Sequence, residues 1–330
     1  MKKKPKTNYF IQNLILCDLT LPWVPEAENK DKILDRYKSA RFSFVSLSVG
    51  VERMGREQTI SYIKKVTEYI DSKTGFHMIY DADEINKAID ANSTGIGLHF
   101  QGSEMLDKDP SNIKVFYDLG IRHMLLAKDY RSRAADGCYE LSNSGLSDLG
   151  RLYIREMNSV GMIIDLSHMG YSSSMEAAAL SNKPVIFSHS NPHALKGMKR
   201  NIIDEQIIAC ANSGGVVGLT GFGHFLPKND TSAKNFVKMI DYISNLVGAE
   251  HVALGLDYVY YQEQFLRQIK SGKFGLPSEY LNNKSGFNYI PPEQVPEIAE
   301  YMLSSGYDED DIKGIMGQNF VRVALSNWKK

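Results

Sequence analysis

Cysteine is scarce in this chain: 330 residues contain three, Cys17, Cys138 and Cys210. An odd count without a pairable spacing excludes a disulfide framework and fits a reducing compartment, so a cytoplasmic location is expected. Long hydrophobic runs are missing too, since no stretch approaches the ~20 apolar residues of a membrane span. Lysines at 2, 3, 4 and 6 followed by an apolar run over 10–16 have the outline of a secretory signal. Gln12 and Asn13 interrupt that run and no small-residue cleavage site follows it, so it reads as a first β-strand instead. An excess of either charge is absent as well. Lys and Arg number 38 against 39 Asp and Glu, a net charge of −1, which leaves no broad basic face for nucleic acid. Glycine-rich nucleotide signatures are also lacking, because Gly50 and Gly55 make neither a dinucleotide fingerprint nor a phosphate loop.

What is present is a long alternation of two patterns. With 43% hydrophobic and 23% charged residues, the chain buries a large core, and its length suits one decorated domain over 1–330 better than two full-sized ones. Short β-rich runs fall at 14–17, 42–49, 96–100, 122–127, 162–166, 184–188, 216–219 and 252–256. Helical patterns separate them at 58–70, 82–91, 149–160, 173–180, 204–212 and 233–246. Eight strands alternating with helices predict an α/β fold, a (β/α)8 TIM barrel, with an open doubly wound sheet as the competing arrangement.

Barrel enzymes carry their chemistry at the C-terminal ends of the strands. Here those ends are Asp18 and Thr20, Gln101, Lys128, His168, His189 and Asp257. His168 and His189 are 21 positions apart, about one strand, one crossover helix and the next parallel strand, so both imidazoles face one point. Two imidazoles with carboxylates at a barrel mouth suit a zinc ion that keeps an open position for water. A lone histidine is more often structural, so His77, His99, His123, His193, His224 and His251 receive no role. Asp257 reads as a mouth acid or a turn aspartate, Arg200 as a site cation or an ordinary loop cation.

Several segments in order resemble the membrane (renal) dipeptidase family of zinc metallopeptidases: Asp165-Leu-Ser-His168, Pro184-Val-Ile-Phe-Ser-His189-Ser, Arg200-Asn201, Gly214-Gly215-Val-Val-Gly218, His251-Val-Ala-Leu-Gly-Leu-Asp257 and Gly317-Gln-Asn-Phe-Val-Arg-Val323. The resemblance implies an amidohydrolase-like (β/α)8 barrel with two zinc ions that hydrolyses dipeptides. It implies His168 and His189 as second-zinc ligands, Arg200 as the group that binds the substrate carboxylate and Asp257 as the catalytic aspartate. It also implies a homodimer.

The rest of the site departs from the family. Its first-strand His-x-Asp is Asp18-Leu-Thr20 here, and its zinc-bridging glutamate is Gln101. A neutral amide oxygen does not bridge two cations as a carboxylate does, and a threonine hydroxyl is a poor ligand. A divergent member with one zinc ion is therefore expected, held by His168 and His189 with help from Gln101 or Asp18. Lys128 stands where the family has a substrate-contacting residue; its ammonium either fills the charge gap beside Asp18 or is carboxylated to ligate a metal. The expected reaction is hydrolysis of dipeptides or small N-acyl amino acids, with no nucleic-acid or membrane partner. The competing readings are a small-ligand binder, a one-metal barrel of non-hydrolytic chemistry, and a metal-free scaffold. The segment 129–140 is either a wall of the substrate pocket or a surface connection.

Overall fold

The computed structural model describes residues 5–25, 27–51, 54–90, 93–271, 277–281 and 286–329. Its strands are β1 (Cys17–Pro22), β2 (Phe44–Val51), β3 (Phe76–Met78), β4 (Thr94–Gln101), β5 (Ile121–Leu125), β6 (Ile163–Asp165), β7 (Ile186–Phe187), β8 (Val216–Leu219) and β9 (Val252–Leu254). All pair in parallel, in the order β1-β2-β4-β5-β6-β7-β8-β9, and the short β3 joins the first residues of β4. Helices such as Arg56–Asp71, Asp148–Val160, Tyr171–Leu180, Asp204–Asn212 and Ala233–Val247 follow the strands and lie outside. Parallel strands need such crossovers, and eight of them form the expected TIM barrel.

The seam where the last strand meets the first is closed by a side chain as well as by the backbone. Asp257 N donates to Thr20 O at 3.0 Å. Asp18 Oδ1 accepts from Leu256 N at 2.8 Å and from Thr20 N at 3.1 Å, while its Oδ2 accepts from Tyr37 OH at 2.5 Å. A bulge between Asp18 and Leu21 re-aims β1 here, so that Leu19 packs in the barrel interior and Thr20 reaches His189.

The interior is filled by inward residues from the strand starts: Cys17, Phe44, Ile163, Ile186, Val216 and Ala253. The C-terminal helix Asn319–Asn327 plugs that end, with Phe320 stacked on Phe44 at 5.3 Å and Trp328 edge-on to Phe320. Two glycines beside β7 are required by close approach. A Cβ on Gly255 would lie 1.8 Å from Ser188 O, and one on Gly218 would lie 2.2 Å from the same oxygen.

Two expectations need correction. The run over 10–16 is not a strand, because Pro5–Gln12 is helical and β1 begins at Cys17. The true first strand carries Asp18, Thr20 and Pro22, whose polar or ring-locked character dilutes the apolar signal of β1. In addition, β3 falls where no strand is expected, three residues long and with His77 at its centre.

Candidate metal-binding and catalytic site

His168 and His189 meet across the mouth of the barrel. Their Nε2 atoms face one another at 3.0 Å and their ring centroids are 4.9 Å apart. His168 adopts φ +64° and Asp257 φ +51°. Such left-handed backbone costs an L residue roughly 1–2 kcal/mol and concentrates at functional sites.

The hydrogens on these rings follow from their neighbours. His168 Nδ1 lies 2.9 Å from Asp129 Oδ1, and burial of Asp129 is outweighed by that hydrogen bond and the charges of Lys128 and Arg200, which hold its carboxyl below its ordinary value. An ionised carboxylate only accepts, so His168 Nδ1 carries the proton. His189 Nδ1 lies 2.6 Å from Ser188 Oγ and 3.2 Å from Thr20 Oγ1. Ser188 Oγ itself donates to Asp165 Oδ2 at 2.5 Å. Asp165 is held well below the carboxylate range, since the hydrogen bonds of His123 and Ser188 outweigh its burial. With its only proton committed there, Ser188 accepts from His189 Nδ1–H.

Both Nε2 atoms are therefore lone pairs pointed at each other in a buried site. Burial, with the Arg200 charge, lowers the pKa of His168 to about 4 and that of His189 well below its ordinary value. Neither ring is protonated at neutral pH, so an arrangement that would otherwise repel calls for a cation. Nitrogens at about 2.0–2.1 Å from zinc stand roughly 3.3 Å apart around a tetrahedral centre. The histidine pair fits one metal ion on this geometry. The other side of the site does not fit a second. Asp18 spends both oxygens on the seam and Thr20 is turned to His189; among the described residues no group of three or more His, Cys, Asp or Glu gathers anywhere, so the histidine pair stands as a two-residue candidate site.

The remaining sequence-derived residues surround this point. Asp257 is half-buried, and burial pushes its carboxyl up to about 6 against the opposing charges of Arg200 and Lys128. Lys128 is half-buried at the centre of the mouth, where its charge acts on His99, Asp129, His168 and Asp257 alike. Gln101 is buried at the end of β4, level with Leu125 and Val51. Arg200 is buried and clamped, donating from Nη1 to Ser190 Oγ at 2.8 Å and from Nη2 to His189 O at 2.5 Å. Its Nε has no partner among the described residues.

A cavity of about 350 Å³ opens beside this cluster, lined by His168, Arg200, Lys199, Cys138 and Glu140 among others. Of the segment 129–140, Gly137, Cys138 and Glu140 thus line the cavity. A larger hollow of about 760 Å³ lies at the opposite end of the barrel around Tyr80, Tyr117 and Arg122, away from every strand-end group. Sequence reasoning missed Asp129, Asp165 and Ser188. Asp129 directly follows Lys128 without a motif of its own, whereas Asp165 and Ser188 lie inside the segments that name the histidines.

Fold and site together define an amidohydrolase-like barrel with a candidate metal site at its C-terminal mouth. Residues 29–266 match the model of the membrane dipeptidase family, peptidase family M19. The chain belongs to this family, whose members are metal-dependent peptidases. It is 27% identical over 271 residues to a dipeptidase, tcpJ, of Claviceps purpurea, covering 81% of this chain and 58% of the relative. The chain thus spans less than two thirds of that relative's length. An amidohydrolase structure from Pseudomonas aeruginosa superposes with a TM-score of 0.90 at 26% identity, covering 98% of this chain and 99% of that one. The structure of the probable dipeptidase PvdM, also from Pseudomonas aeruginosa, shares the fold with a TM-score of 0.79 at 20% identity, over 97% of each chain.

Proposed function

We propose that this protein is a one-metal dipeptidase-type hydrolase that cleaves the amide bond of dipeptides or small N-acyl amino acids. The observation that carries this reading is the pair of facing Nε2 lone pairs of His168 and His189 at 3.0 Å, beside a cavity that a buried arginine lines. The relatives named as dipeptidases give it the reaction class.

His168 and His189 would hold the ion, with the Gln101 amide oxygen as a candidate for a further protein ligand and Asp18 retained for the seam. A bound zinc ion lowers the pKa of its water towards ~7 and polarises a carbonyl. Arg200 receives the substrate carboxylate with the donors that Ser190 and the His189 carbonyl leave over, which selects molecules ending in a carboxylate. Asp257 takes a proton from the attacking water and returns it to the leaving amine. Lys128 contacts the substrate, and its ammonium supplies fixed positive charge in the gap beside Asp18.

The reading carries one zinc ion per chain, residues 1–330 acting as one hydrolase domain, a homodimer and a cytoplasmic location. It involves neither nucleic acid nor membrane. Among the described residues no helix is long and apolar enough to cross a bilayer. His189→Ala is expected to lose bound zinc and at least a hundredfold in turnover of a dipeptide panel while melting like the parent. Normal turnover in that variant would overturn the metal mechanism.

A further inference from the structure

A continuous chain of hydrogen-bonded side chains crosses the barrel interior beneath the site. His99 Nδ1 meets Ser46 Oγ at 2.9 Å, Ser46 Oγ meets His123 Nε2 at 2.9 Å, and His123 Nδ1 meets Asp165 Oδ2 at 3.3 Å. From the other side Ser188 Oγ reaches the same Asp165 oxygen at 2.5 Å, and His189 Nδ1 reaches Ser188. His99 and His123 stack at 4.3 Å, nearly parallel. His99, Ser46, His123, Asp165 and Ser188 are all completely buried. Barrel interiors are normally filled by branched apolar side chains, and this polar chain is satisfied by its own members except at its far end, where His99 Nε2 has no partner among the described residues.

Asp165 is the acceptor on which both arms converge. Its Oδ1 takes Ser167 N and Ser188 N, each at 3.0 Å, which fixes the carboxylate; its Oδ2 takes His123 and Ser188. Because a carboxylate donates nothing, the Ser188 hydroxyl proton must point towards Asp165. The Ser188 oxygen is then left as an acceptor for His189 Nδ1–H and for the Ser167 hydroxyl at 3.3 Å. The imidazole of His189 is thereby held in the tautomer whose Nε2 lone pair faces His168. Thr20 Oγ1, the other neighbour of His189 Nδ1, does not fix the tautomer, since a hydroxyl serves as donor or acceptor equally well.

We infer that Asp165, acting through Ser188, is a positioning residue that sets the direction of this hydrogen-bond chain and so arms His189 to bind a metal ion. The inference deepens the proposed function and rests on its metal at His189, but the tautomer it specifies exists with or without the ion. Asp165→Asn preserves shape and reverses polarity. With its amide oxygen kept by the two backbone N–H groups, its NH2 turns to Ser188, whose proton is then freed to donate to His189 Nδ1. The proton of His189 moves to Nε2, where it blocks the metal.

The experiment is nitrogen-15 NMR of the histidine rings in full-length, metal-free protein, with His189 assigned by the loss of its signals in His189→Gln, followed by zinc titration of the same samples. The parent is expected to show His189 protonated on Nδ1. Asp165→Asn is expected to move that proton to Nε2 and weaken zinc at least tenfold, in the range that outer-shell changes produce. Ser188→Ala, which removes one hydroxyl from a site already satisfied, is expected to give a mixture of tautomers and a loss in the same direction, and it carries the test if Asp165→Asn fails to fold. A His189 that keeps the Nδ1 proton in Asp165→Asn or in Ser188→Ala overturns the inference, as does unchanged zinc affinity in a folded variant whose parent binds zinc. A tautomer that moves as expected in a protein that binds no zinc supports the relay and removes the metal reading instead.

Discussion

At the scale of single residues, the site depends on which groups hold their protons and where. Asp257 sits half-buried with its carboxyl pushed up to about 6 by burial, close to neutrality, where a general base works best. As a base it must be ionised, so kcat/KM for a dipeptide is expected to rise as pH climbs through about 6. Asp257→Asn is expected to lose that limb along with roughly 10²–10⁴-fold in rate. A pH–rate profile of parent and variant checks this, and an unchanged acidic limb in the variant would assign it elsewhere. The positions of His168, His189 and Asp257 at the mouth were legible in the sequence because each follows an apolar run, whereas Arg200, in a loop, was singled out only by the family resemblance. Asp129 was not, because a carboxylate after a strand-end lysine looks like any loop residue until the fold brings it to 2.9 Å from His168 Nδ1. His99 and His123 were equally opaque: only register, which sets them opposite one another on β4 and β5, makes a pair of them.

At the scale of elements, the seam between β1 and β9 is where Asp18 is used. Asp18 there is a staple whose oxygens serve Leu256, Thr20 and Tyr37. Burial pushes its carboxyl up to about 7 despite those bonds. A folded pKa above the unfolded one means that folding takes up a proton between about 4 and about 7. The contribution of Asp18 to stability is thus largest below the unfolded value and declines as pH rises towards 7. Asp18→Asn keeps the acceptor for both backbone donors without the buried charge. Denaturant unfolding at pH 5 and pH 8 is expected to show less loss of stability with rising pH in the variant, by up to a few kcal/mol. A pH dependence identical to the parent's would remove the seam from the account. The strand pattern itself was readable from β2 and β4 through to β9. It failed at β1, where buried polar groups satisfied by cross-seam hydrogen bonds interrupt the apolar periodicity on which such reading relies.

At the scale of the whole molecule, the barrel divides its labour by end. Aromatic and branched side chains, with Phe320 and Trp328 as a plug, fill the N-terminal end. Polar groups gather at the other, and the hydrogen-bond chain from His99 to His189 joins the core to the mouth. That division was legible in the sequence as strands ending in titratable residues, and the substitutions Asp18-Leu-Thr20 and Gln101 already pointed to one metal ion; what the sequence did not show is that the Asp18 oxygens face the seam rather than the site. The structure gives them to the seam, and the proposed function keeps the histidine pair as the place for one ion. The most direct test is the metal content per chain of protein purified without chelators, read by plasma mass spectrometry on the parent and on His189→Ala. The account predicts close to one zinc ion in the parent and none in the variant. Two ions in the parent, or none even after zinc is restored, would contradict it.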